Sequence, residues 1–141
     1  MKITIRKAKL NDLRKCSVLL NGFKELSNPS GEPNHLWWLR DLIKKQVFIV
    51  AEIRGEIIGL AIGEVATGNL GFLHLICVKK EFQNKGIGNL LYKEREKMLR
   101  KKGVRAIIAY VSPKNKKALN ILKKNKFDRG QLMYEHIKFL R

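Results

Sequence analysis

The run V-K-K-E-F-Q-N-K-G-I-G at residues 78–88 decides how the chain is read. It joins an apolar, strand-like segment, residues 70–78, to a segment with helical spacing of apolar side chains from residue 86 to about 102. Between the two lies a polar turn punctuated by Gly86 and Gly88. Glycine reaches positive φ and has no Cβ, so a ligand can approach the backbone, and the helix that follows offers unpaired N–H groups at its positive dipole end. Strand, glycine turn and helix in this order make a nest for an anion. It is not a nucleotide triphosphate loop: no G-x-x-x-x-G-K-[ST] occurs, Lys85 and Gly86 stand in reverse order, and no Ser or Thr follows to hold magnesium. A dinucleotide fingerprint begins at Gly86 and Gly88 but meets Leu91 where its third glycine belongs.

The segment Q-N-K-G-I-G at residues 83–88, after I-C-V at 76–78, resembles the [QR]-x-x-G-x-[GA] signature of the GCN5-related N-acetyltransferase (GNAT) superfamily. A second signature of that family, N-x-x-A-x-x-x-Y-x-x-x-G-F, is matched by Asn115, Ala118 and Phe127, with Leu122 in place of the Tyr and Lys126 in place of the Gly. The resemblance spans nearly the whole chain. It implies an α/β (α+β) fold with a central mixed, mostly antiparallel sheet of six to seven strands. About four helices flank the sheet, and strands four and five splay apart to admit the pantetheine arm of acetyl-CoA, the implied cosubstrate.

By the same resemblance Gln83, Asn84, Lys85, Gly86, Ile87 and Gly88 hold the diphosphate, Asn115 and Leu122 touch the cofactor from the second motif, and no metal takes part. Backbone amides near Ile76, Cys77 and Val78 bond the pantetheine and polarise the thioester carbonyl. Direct attack needs a neutral amine, hence a base near the thioester. His74 stands four residues before Val78, where family members carry a Glu or another base, and strict alternation puts it on one face with Phe72, Ile76 and Val78. A histidine in an apolar strand is equally well explained as a hydrogen-bonded core residue, and Glu64 on the neighbouring strand is the alternative base. The thiolate's proton comes from the motif Tyr in the family; with Leu122 there, Tyr110 or Tyr134 replaces it, or water does.

Composition bounds the reading from outside. The 141 residues suit one domain, residues 1–141, with 45% hydrophobic side chains for its core. No stretch of 18 apolar residues and no signal-peptide pattern is present, which suggests a cytoplasmic protein. Cys16 and Cys77 are too few and unpatterned for a disulfide framework or zinc site, and read as buried free thiols. Of the net charge of +18, residues 1–78 hold +4, residues 79–129 hold +13 and residues 130–141 hold +1. The positive field therefore surrounds the anion nest, with Lys79, Lys80, Lys85, Lys114, Lys116 and Lys117 nearest in sequence. Much of it is also the ordinary solvated face of two helices.

Periodicity places strands at residues 2–7, 47–53, 56–65, 70–78 and 104–111, with a last pair at 127–131 and 133–139. Helices are predicted from Asn11 or Asp12 through Phe23, from Asn34 to 45, from 86 to 102 and from 114 to 125. S-N-P-S-G-E-P at 27–33 is turn chemistry, and Arg54-Gly55 closes a hairpin. The family grips its acceptor with the first two helices, here rich in aromatics at Trp37 and Trp38. The positive field disfavours polyamines and aminoglycosides, so the predicted acceptor is an amine of a peptide, a protein or a small metabolite. The protein is expected to be a monomer or homodimer. The alternative is a basic nucleic-acid-binding module or a catalytically inactive acetyl-CoA-binding domain. Nucleic acid is disfavoured by the 8% aromatic content and the lack of a recognition motif.

Overall fold

A computed structural model describes residues 2–23, 36–136, 138 and 140. Four strands form an antiparallel meander: β1 (Thr4–Lys7), β2 (Val47–Ile53), β3 (Glu56–Ala66) and β4 (Leu70–Val78). A fifth, β5 (Ala106–Ala109), lies parallel to β4 at the sheet's end. A parallel neighbour needs a crossover, and the 15-residue helix α3 (Ile87–Lys101) supplies it. Helices α1 (Leu13–Asn21) and α2 (Leu36–Lys45) come between β1 and β2, and α4 (Lys116–Lys124) follows β5.

Helices cover both sheet faces, which is why β2 and β3 read as almost unbroken apolar runs. On one face Cys16, Leu20, Leu39 and Leu42 of α1 and α2 pack against Phe48, Leu60 and Cys77. On the other, Ile87, Leu91 and Leu99 of α3 pack against Ile49, Ala61, Val78 and Leu73. The β2–β3 connection places Arg54 and Gly55 at φ 50° and 79°, the positive values that a type I′ hairpin turn requires. Both cysteines are buried and neither forms a disulfide, and burial pushes the Cys16 thiol up to about 12.

The sheet has five strands among the described residues, one or two fewer than the resemblance implied. Residues 127–136, read from their alternation as parts of a final strand pair, carry no strand, and Leu132, Met133 and Tyr134 are exposed. Alternation marks a segment that would suit a half-buried pleat; it makes a strand only where a partner edge is engaged. Ile137 and Phe139 of that pair lie outside the described residues, as do the 27–33 turn and Asn34. Lys126 takes the left-handed φ of 65° just past α4, so the helix stops as it would with the family's glycine, at a cost of about 1 kcal/mol.

Candidate functional site

After β4 the chain makes one short 3-10 turn, Lys80–Phe82, and reaches Gln83. The Gln83 side chain donates to the Val78 carbonyl at 2.9 Å and accepts from Lys117 on α4, tying the strand end to the second motif. Asn84 and Gly86 then take φ of 63° and 81°, and Gly86 caps α3 in the left-handed conformation. A Cβ on Gly86 would meet nothing within 4 Å, so the space over this backbone is open. The first turn of α3 leaves the amides of Ile87, Gly88 and Asn89 without intrahelical acceptors beside that space.

Gly88 differs from the sequence reading. Its φ is not positive, and a Cβ there would lie 3.2 Å from Ile121 Cδ1, so its bareness lets α4 approach α3. Ile87 is buried, leaving only its backbone for a ligand. Asn115 caps α4, its Oδ1 accepting the Ala118 N–H at 3.2 Å. Among the loop lysines, Lys79 is paired with Glu56 at 2.5 Å and Lys85 lies over the Phe82 ring. The Glu56 hydrogen bond raises the Lys79 pKa.

Strands β4 and β5 pair only from Leu70 with Ala106 to Leu73 with Ala109. Beyond that β4 runs on to Val78 while β5 ends, and the two walls part. Into the gap opens a cleft of about 230 Å³, walled by His74 to Ile76, by Tyr110 to Ser112, and by Asn115 and Leu122. Its floor is Tyr92 and Arg95 of α3.

The strands also depart from alternation here. Ile62 pairs with Leu75 but Gly63 with Leu73, so His74 is the extra residue of a β-bulge. Leu73 therefore faces the α3 side with Ile76 and Val78, whereas Leu75 and Cys77 face α1 and α2. His74 meets the Trp38 ring of α2 edge-on at 5.8 Å, so it does not share a face with Ile76 and Val78 as alternation predicted. Its Nε2 lies 2.5 Å from Glu64 Oε1, so the two candidate bases are one pair, partly open to solvent. Tyr110 stacks on Phe72 at 6.3 Å and is mostly exposed; Tyr134 is exposed in the segment after α4 and lines no wall of the cleft.

Two residues of the cleft escaped the sequence reading. Tyr92, buried, donates its hydroxyl to Glu96 at 2.7 Å, and burial followed by that bond raises its pKa. Arg95 is 2% exposed; its Nη1 donates to the carbonyls of Ile62 at 3.1 Å and Leu75 at 2.9 Å, and its Nε has no partner. Burial lowers the Arg95 pKa to about 10, which still leaves it charged at neutral pH. The signal was there: Arg95 sits midway between Leu91 and Leu99 on the helix's apolar stripe. A larger cavity, about 970 Å³, lies between α1, the hairpin turn at Gly55 and the start of the loop, with Arg14, Lys15 and Lys80 around an apolar floor that includes Val18 and Phe23.

The profile of the acetyltransferase (GNAT) family matches residues 12–127. An uncharacterized N-acetyltransferase of Chlorobaculum tepidum is 30% identical over 105 residues, 73% of this chain but 64% of that protein's length. Among solved structures, a PaiA N-acetyltransferase from Thermoplasma acidophilum in complex with coenzyme A superposes with a TM-score of 0.76 at 23% identity, covering 91% of both chains. An aminoglycoside acetyltransferase from an uncultured soil metagenomic sample, in complex with sisomicin, gives 0.77 at 19% identity over 99% of this chain and 97% of its own. The chain belongs to the GNAT family, the acyl-CoA-dependent N-acetyltransferases whose cosubstrate is acetyl-CoA. Among the described residues no cluster of His, Cys, Asp or Glu is placed to hold a metal ion, and no helix is long and apolar enough to cross a membrane.

Proposed function

We propose that this protein, a single domain acting in the cytoplasm, transfers the acetyl group of acetyl-CoA directly to a primary amine of a peptide, a protein or a small metabolite. The observation that carries the reading is the left-handed Gly86 at the head of α3, with open space above its backbone, at the end of a strand that splays from its neighbour. Residues 83–88 would take the diphosphate on backbone amides, with Gln83 and Asn115 holding the loop and α4 in place. The amides near Ile76, Cys77 and Val78 would hold the pantetheine and draw charge onto the thioester oxygen.

His74 is the base in this reading, and Glu64 orients its ring. Tyr110, which lines the cleft and is mostly exposed, is the hydroxyl that would protonate the departing sulfur in place of the absent tyrosine at Leu122. The basic rim of the larger cavity supports an acceptor that is not a polycation. Two buried cysteines outside any disulfide suit a reducing compartment.

The experiment is an acetyl-CoA assay over a panel of peptide, metabolite, polyamine and aminoglycoside amines, run beside thermal-shift titrations with acetyl-CoA and with generic nucleic acid at two salt concentrations. Stabilisation by acetyl-CoA and turnover of a peptide or metabolite amine are expected. Stabilisation by nucleic acid alone, falling steeply with salt, would sink the enzyme reading; a polyamine or aminoglycoside as best acceptor would overturn the acceptor class. His74→Ala should lower kcat by roughly 10²-fold or more with cofactor affinity unchanged. An unaltered rate across pH would remove His74 from the mechanism.

A further inference from the structure

The guanidinium of Arg95 is left unused by the roles assigned above, and the chain spends several features on accommodating it. Position 63 is glycine, where a Cβ would stand 3.1 Å from Leu99 Cδ1, 3.3 Å from Arg95 Cγ and 3.4 Å from its Cδ, so the arginine stem and its leucine neighbour pass where any other side chain would crowd them. The bulge at His74 interrupts the β3–β4 ladder beside Ile62 and Leu75, whose carbonyls receive Nη1. The guanidinium carbon lies over the face of Tyr92, 5.5 Å from the ring centroid. Among the described residues no carboxylate forms an ion pair with Arg95, and its Nε is buried without a partner. A buried cation without a counter-ion costs several kcal/mol, which two carbonyl dipoles offset only in part. Such a charge is in balance once an anion arrives beside it.

The reaction brings one. The amine's lone pair forms the new C–N bond, the C–S bond breaks with its electron pair on sulfur, and the amine's surplus proton goes to the base. That leaves coenzyme A as a thiolate. The walls around it include Leu73, Ile76, Ala118 and Leu122, and no hydroxyl occupies the Leu122 position. Arg95 lines this cleft of about 230 Å³, into which the parted strands would admit the pantetheine arm and its sulfur. We propose that Arg95 is a further catalytic residue, its guanidinium serving as the fixed counter-charge that stabilises the departing coenzyme A thiolate from the cleft floor. This rests on the coenzyme A reading of the cleft.

The test is binding of coenzyme A against desulfo-coenzyme A, which lacks only the sulfur, between about pH 6 and 9, where Arg95 keeps its charge, with the bound thiol also titrated by its ultraviolet thiolate absorbance. Tyr92 of α3, His74 of β4 and Tyr110 after β5 also face this space, with Glu96 bonded to Tyr92 and Glu64 to His74 behind them, and both ligands sense them alike. The difference between the ligands isolates the sulfur. Wild type should bind coenzyme A increasingly better than desulfo-coenzyme A as pH rises, by ~10-fold or more at the alkaline end, with the bound thiol titrating below its value in water. Arg95→Met should abolish the difference and Arg95→Lys keep part of it. Failure of wild type to bind desulfo-coenzyme A would sink the coenzyme A reading itself. Binding of both ligands with one pH profile, or a wild-type bound thiol that titrates no lower than the free one, would overturn the role of Arg95 alone, and this second result does not depend on whether Arg95→Met folds.

Discussion

Replacing Gly86 separates what the loop conformation costs from what the open space above it is for. Gly86 holds φ 81° and ψ 3°. A left-handed L-residue costs roughly 1–2 kcal/mol, more when β-branched, while asparagine visits the region with much less strain. Because a Cβ at this position meets nothing within 4 Å, no packing change adds to that conformational cost. Gly86→Val should therefore destabilise the apo protein by about 2 kcal/mol, and Gly86→Asn by about 0.5–1 kcal/mol. At about 4 °C per kcal/mol for a chain of this size, the valine variant melts roughly 8 °C lower and the asparagine variant 2–4 °C lower. Coenzyme A affinity should behave differently: both variants put a Cβ where the ligand approaches the backbone, and both should bind ~10-fold weaker or worse, about 1.4 kcal/mol. Thermal melting of the apo proteins and calorimetric titration with coenzyme A read the two effects independently. Equal melting temperatures for the Val and Asn variants would refute the strain reasoning, and wild-type affinity in both would refute backbone approach at Gly86.

Two further outcomes follow from the other end of the sheet and from α1. Hydrogen bonds from Arg6, the nearer at 2.8 Å, hold the Asp12 carboxyl below the ordinary aspartate value of 3.8, so the folded chain releases that proton more readily than the unfolded one. The resulting stability is complete above pH 3.8 and is lost as pH falls through the depressed folded value; Arg6→Met should flatten this acid limb in urea melts and cost roughly 1.5–3 kcal/mol at neutral pH. Parallel acid limbs in both proteins would refute the linkage. Cys16, fully buried with its thiol pushed up to about 12, should react with an aromatic disulfide at mildly alkaline pH at least ~100-fold more slowly in the native protein than in denaturant, and comparable rates would contradict its burial.

Where the sequence was legible, one physical rule settled an element. The strands at 47–53 and 70–78 and the helix near 87–101 were found because turn chemistry or a glycine bounds an apolar pattern of definite period on each side. The loop at residues 83–88 was legible because its glycine and polar residues have few other uses between a strand and a helix. His74 was identified as a candidate but placed on the wrong side of its strand: L-H-L-I-C-V alternates plausibly with or without an extra residue, and only the pairing of Gly63 with Leu73 reveals the bulge. Arg95 entered the sequence reading only as part of the +13 of residues 79–129, because a net charge carries no address. The final strand pair was overread for the opposite reason, since residues 127–136 have the right pattern with no partner edge engaged.

The brief pairing of β4 with β5 also bears on the order in which the molecule comes together and apart. Strand β3 has ladder partners along most of its 11 residues on both sides, between neighbours adjacent in sequence, and such local antiparallel contacts close early at low entropic cost. Strand β5 waits for α3 to form and swing across, and then gains four ladder positions on one side. Slow-exchanging amides should concentrate in β2 and β3, and the earliest openings at β5 and the α4 that hangs from it. One wall of the cleft, β4, is thus laddered directly to the part of the sheet that opens last, and the facing wall belongs to the part that opens first. Any ligand spanning the two adds its own binding free energy to the looser wall, and amide protection in β5 becomes a direct gauge of occupancy.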